Sequence, residues 1–109
     1  MATIANLTID QGTTVSIVVP VKNTDGTVKD LTGYTAYSQF RKSYYSTTYT
    51  TFTATHDSAG GNITLALTAT QSSAVKAGRY VYDVETLTGT TVARVQEGII
   101  TVNPEVTKV

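Results

Sequence analysis

The side chains able to do acid–base or ligand chemistry are few in this chain. His56 is the one histidine among 109 residues, and neither cysteine nor tryptophan is present. Disulfides, thiolate metal sites and multi-histidine metal sites therefore lack their parts. His56 is followed at once by Asp57, but neighbours on an extended strand point to opposite faces. No serine or cysteine stands in a nucleophile-elbow context, so the pair reads as the solvated end of a strand. Asp83 and Glu85 are two residues apart and share one strand face, as paired carboxylates would need to for acid–base work. Glu97 can join them, with Arg41, Arg79 and Arg94 as neutralising partners. Nothing beside them in the sequence supplies a desolvated pocket, so the cluster reads as a salt-bridged face or a subunit contact. Asp25 and Asp30 form an acidic loop around Gly26, but calcium takes about six to eight oxygens and a turn accounts for the loop better. The expectation is a non-enzymatic protein with no catalytic residue, no metal and no cofactor.

The tyrosines carry more information. Tyr44, Tyr45 and Tyr49 crowd beside Arg41 and Lys42, and Tyr37 falls on the outer parity of the strand before them. Exposed aromatics with an arginine suit protein contact or sugar stacking, or the rings cover a sheet edge of their own domain. Protein contact is the favoured functional reading, because a sugar site also wants convergent acids and amides and only Gln39 is close in sequence.

Eight basic and eight acidic side chains cancel. No electrostatic excess exists to grip a nucleic-acid backbone or an anionic membrane, and neither is an expected partner. The longest wholly apolar run, Ile17 to Val19, is too short for a spanning helix or a signal-peptide core, so a soluble protein is expected. Charged residues make up 15% of the chain, against about 25% in an average domain. A neutral, charge-poor surface leans toward a protein that sits against neighbours.

The elements that must position these residues are strands. Threonine alone supplies about a fifth of the chain, and β-branched residues favour a pleated backbone. Val15, Ile17, Val19 and Val21 share one parity of a strand over 13–22, with Pro20 marking an edge or bulge. Residues 23–27 are turn chemistry, and Leu31-Thr32-Gly33 makes a second corner with Leu31 beneath it. A strand over 34–42 has Ala36, Ser38 and Phe40 inward, and one over 50–56 has Phe52 and Ala54 inward. The loop 57–61 closes a hairpin onto 62–67, where Ile63, Leu65 and Leu67 face the core. Thr68 and Gln71 have capping-box spacing for a short helix within 68–77. Tyr80, Tyr82 and Val84 alternate along 79–87, and a last strand covers 91–102. Val95 and Ile100 are five apart, so a bulge is needed to restore parity, and Gly98 is the expected place for it.

Gly78-Arg79-Tyr80-Val81-Tyr82 has the spacing of the immunoglobulin tyrosine corner, with Tyr82 where the second core cysteine would stand. The Tyr80 hydroxyl is expected to bond back to the chain near residues 71–74. The expected fold is all-β, an Ig-like antiparallel β-sandwich of about seven strands with one short helix before the penultimate strand. One domain spans 1–109, with 1–10 an N-terminal arm or first strand and 103–109 a C-terminal tail.

Asp10-Gln11-Gly12-Thr13-Thr14, Asp30-Leu31-Thr32-Gly33-Tyr34, Ala77-Gly78-Arg79-Tyr80 and Glu97-Gly98-Ile99-Ile100-Thr101-Val102 follow one another along the chain. Together they resemble the Ig-like domains of tailed-phage structural proteins, above all the N-terminal domain of baseplate upper proteins and the small virion proteins of cyanophage-type myoviruses. The resemblance implies a structural component of a virion, placed in the tail, baseplate or neck. Capsid decoration is the alternative placement, and a glycan-binding adhesion module is a further alternative. The implied partners are other virion proteins, with a homo-oligomer or symmetric array in the particle. Neighbours would be bound by the termini and by Tyr37, Arg41, Tyr44, Tyr45 and Tyr49. Removal of residues 1–8 is expected to abolish incorporation with little loss of folding.

Overall fold

The computed structural model describes residues 3–106 apart from Thr24 and Ser58. Residues 1 and 2 of the expected arm, residues 107–109 of the expected tail, Thr24 in the first turn and Ser58 in the hairpin loop lie outside the described residues.

The chain runs β1 (Thr3–Ile4), β2 (Leu7–Asp10), β3 (Val15–Pro20), β4 (Thr35–Arg41), β5 (Thr50–Thr51), β6 (Thr53–Asp57), β7 (Asn62–Leu67), α1 (Ala69–Ser73), β8 (Gly78–Thr88) and β9 (Thr91–Asn103). One sheet has the order β1-β9-β8-β4-β5, with β2 also on β9, and the other has the order β3-β7-β6. Alternation places the strands on the core: Ile63, Leu65 and Leu67 of β7 meet Phe40 of β4, Tyr82 and Val84 of β8, and Ile100 and Val102 of β9 in one buried cluster. Ser38 is buried among them without an orphaned hydroxyl, because its Oγ donates to the Asp83 carbonyl at 2.7 Å. The short helix begins at Thr68 with both bonds of the capping box formed. The architecture is an Ig-like β-sandwich with the helix ahead of the penultimate strand.

Three features depart from expectation. First, the N-terminal segment, expected as an arm or first strand, joins the sheet as β1 and β2 and runs parallel to β9, where an antiparallel sandwich was expected. Leu7 pairs with Ile100 and Ile9 with Val102, and Ile9 is only 2% exposed. Removing residues 1–8 would strip all of β1 and the Leu7–Thr8 half of β2 from β9, so a loss of stability is expected in place of little loss of folding.

Second, the expected strand over 50–56 divides at Phe52. Thr50–Thr51 pairs with β4 in the first sheet, and Thr53–Asp57 pairs with β7 in the second. The buried Phe52 ring sits 5.1 Å from Phe40, and the Phe52 N–H donates to the Ser38 carbonyl at 3.0 Å. The chain thus crosses the core where its largest apolar side chain is anchored.

Third, the bulge lies at Val95 and not at Gly98. Val84 pairs with Gln96 while Glu85 pairs with Arg94, which leaves Val95 as the extra residue. Gly98 stays in register opposite Tyr82, and the link between β1 and β2 passes close against it. A Cβ there would strike the Ala5 carbonyl oxygen, so the position admits no side chain. The Ala5 N–H bonds the Glu97 carbonyl at 2.9 Å, and the Asn6 side chain accepts from the Ile99 N–H at 3.1 Å. That asparagine bridges the gap between β1 and β2.

Candidate functional site

The outer face of the first sheet gathers the charged and aromatic side chains. Strand pairing sets Gln39 beside Asp83 and Asp83 beside Glu97, and in the next row sets Tyr37 beside Glu85 and Glu85 beside Arg94. A depression of about 310 Å³ opens there, lined by Gln39, Arg41 and Tyr44 on one side and Asp83, Glu85, Arg94 and Glu97 on the other. Arg94 is the neutralising cation, with Nε 3.4 Å from Asp83 and a terminal nitrogen 3.8 Å from Glu97. All three side chains are well solvated, so these pairs contribute little to stability. Arg79 lies further along β8, across from Thr101.

Arg41 is committed to its own loop. One terminal nitrogen donates to the Ser46 carbonyl at 2.7 Å and the other to Gln39 Oε1 at 3.1 Å, while its guanidinium lies 4.7 Å from the centre of the Tyr49 ring. This brace holds the segment between β4 and β5 as a defined projection. Tyr44 and Tyr45 sit at its tip, 73% and 94% exposed. Of the residues expected to bind a partner, Tyr44 and Arg41 line the depression and Tyr49 stacks on Arg41. Tyr45 stands clear in solvent, and Tyr37 lies along the same sheet face outside the depression.

The expectation that only Gln39 would accompany these tyrosines is corrected by this geometry. Three carboxylates and an arginine from β8 and β9 converge on Tyr44. Both groups are visible in the sequence, but their meeting depends on which strands pair, which no local pattern encodes.

The corner is formed by Gly78 and Tyr80. Gly78 has φ +143°, a region that L side chains rarely adopt, and Lys42 Nζ fills the space a Cβ would need. The Tyr80 hydroxyl donates to the Lys76 carbonyl at 2.7 Å, nearer than residues 71–74. Tyr80 also packs edge-on against Phe40 at 5.3 Å. Burial raises its phenol above the ordinary value.

Three other carboxylates brace turns. Asp25 and Asp30 each accept the backbone N–H and hydroxyl of the threonine two residues on, Thr27 and Thr32. Those bonds, side-chain hydroxyl first, hold both carboxyls below the ordinary carboxylate value. Asp57 accepts from the Gly60 N–H at 3.1 Å, and His56 is exposed beside it at the end of β6. Among the described residues no group of three His, Asp or Glu side chains is arranged to hold a metal ion. No helix in the described residues is long and apolar enough to cross a membrane. A larger cleft of about 860 Å³ lies at the end of the sandwich between Lys22, Lys29, Tyr34, Thr86 and Gln96. The sequence reading did not foresee it, since its lining comes from five separate segments.

The fold and its outer face define the class of protein: an Ig-like β-sandwich whose chemistry is displayed on one sheet and one loop. No protein-family model matches the chain, and no curated protein matches it. Among solved structures, the chain is similar to the crystal structure of InlP from Listeria monocytogenes, with a TM-score of 0.52 and 18% identity. The match covers 91% of this chain and 26% of that one, so this chain spans about a quarter of its length. At that identity the likeness shows the shared fold alone.

Proposed function

We propose that the domain is a non-enzymatic structural module that docks other proteins through the Tyr44–Tyr45 projection, and that its setting is the virion of a tailed phage, in the tail, baseplate or neck. The observation that carries the docking role is the pair of neighbouring tyrosines, exposed to 73% and 94% on a loop braced by Arg41. Neither ring stacks on an aromatic or a cation among the described residues. Tyrosine on a preorganised loop is an efficient anchor, because it adds large contact area for few rotatable bonds. The virion setting is supported by the resemblance of the Asp30-Leu31-Thr32-Gly33-Tyr34 and Ala77-Gly78-Arg79-Tyr80 motifs, and several copies in a symmetric array fit the charge-poor surface. Quantitative mass spectrometry of purified virions, split into heads and tails, tests it. A few to a few dozen copies with the tails support the placement, hundreds with the heads move it to capsid decoration, and absence from both removes the virion setting.

A second reading has a specific observation in its favour. Tyr44 with Gln39, Asp83, Glu85 and Arg94 around one depression is the combination of an aromatic platform and polar fence that holds a sugar ring. A glycan-binding module predicts that Tyr44→Ala and Glu85→Gln abolish binding on a glycan array while assembly survives. The docking role predicts that Tyr44→Ala loses assembly, that Glu85→Gln assembles normally, and that the wild type binds no glycan on the array.

A further inference from the structure

Strand β3 pairs on one side with β7, and no described residue pairs with its other side. Both N-terminal strands join β9 in the opposite sheet, so the place beside β3 is left open. In an antiparallel ladder, residues alternate between those bonded to the partner and those whose main-chain groups point away. The Val21 N–H bonds the Gly61 carbonyl at 2.8 Å along the continuation of this ladder. The odd-numbered residues are therefore the bonded set, and the N–H and C=O groups of Ser16 and Val18 point outward. On the outward side the open stretch ends at Pro20, which has no N–H to offer.

Edge strands are ordinarily protected by charge, shortness, a bulge or proline. The other edges of this sandwich have such protection: β1 and β5 are two residues each, β2 ends in Asp10, and β6 carries His56 and Asp57. By contrast β3 reads Val-Ser-Ile-Val-Val-Pro, with no charge anywhere from Gln11 to Val21 and its proline only at the far end. Val18 is 60% exposed on its outer face.

We infer that β3 is a self-pairing edge: it takes β3 of a second copy of this chain, antiparallel about a two-fold axis at Ile17, and joins two three-stranded sheets into one of six strands. That axis sets Ser16 opposite Val18 of the second copy, so both outward-pointing residues exchange main-chain bonds, and Thr14 meets Pro20 where the ladder stops. Ile17, half-buried on the core side, gains its own counterpart as cover. The occupant is a second copy because a wholly neutral edge sets no like charges against itself and offers a charged foreign strand nothing to read.

Sedimentation of the full chain tests this. The wild type is expected at twice 11.6 kDa at tens of micromolar, dissociating on dilution. Val18→Pro deletes an outward N–H at an edge position that tolerates proline, and is expected to be a folded monomer. A wild type that stays monomeric, or a folded Val18→Pro chain that stays dimeric, overturns the inference. Should Val18→Pro fail to fold, Ile17→Cys decides, since the chain has no other cysteine. Rapid, near-complete disulfide dimerisation is expected, and a rate no faster than that of Tyr45→Cys overturns it.

Discussion

The Tyr82 hydroxyl donates to the Ala5 carbonyl at 2.6 Å, a bond across 77 positions of sequence that ties the link between β1 and β2 to the middle of the sandwich. The same oxygen accepts from Gln96 Nε2 at 2.8 Å. Tyr82 stands where the immunoglobulin fold places its second core cysteine, and here a hydrogen-bonded phenol holds two segments together without a disulfide.

Tyr82→Phe keeps the ring and removes both bonds, leaving a buried amide and a carbonyl unpaired. The expected loss is about 1–3 kcal/mol of unfolding free energy, read from urea denaturation. Faster hydrogen exchange should follow at Ala5, whose N–H bonds Glu97.

Gly98→Ala acts on the same contact from the other side. The added methyl would occupy the place of the Ala5 carbonyl oxygen, so β1 must lift from β9 at an expected cost of about 1–3 kcal/mol. Amide shifts in an NMR spectrum should move at residues 3–6 and stay in place at β6 and β7.

Alkaline pH should weaken the fold through Tyr80 and Tyr82. Burial raises both phenols above their ordinary 10.0, with the Gln96 bond partly offsetting the rise at Tyr82. A raised folded-state value favours the neutral form in the native protein. The stability it contributes is complete below the ordinary value and is lost as pH rises through the folded one. Denaturation midpoints should therefore fall above pH 10, and fall less steeply in Tyr82→Phe.

Much of the sandwich is legible in the sequence because strand alternation is local. Ile63, Leu65 and Leu67 announce their face, Thr68 and Gln71 announce the helix start, and Gly78 with Tyr80 announces the corner. What the sequence conceals depends on pairing between distant segments. The bulge sits at Val95, while Gly98 serves the close passage of Ala5, a contact 93 residues away in the chain. The division at Phe52 follows from the meeting of that ring with Phe40. The outer-face depression exists because β8 lies between β4 and β9, which brings Tyr44 and Glu97 to one place. The tyrosine cluster itself is plain in the sequence, but which of its members are braced and which are free is not. Arg41 is held by Ser46, Gln39 and Tyr49, a loop closure that no pattern of residue types specifies.

The docking role is tested most directly by the Tyr44→Ala/Tyr45→Ala double variant, expressed in place of the wild type and counted in purified particles by quantitative mass spectrometry, with its thermal melt recorded alongside. Both rings are exposed, so the variant should retain wild-type stability within about 0.5 kcal/mol. Its copy number in the particle should fall about tenfold or more. An unchanged copy number in a fully folded variant would contradict the account.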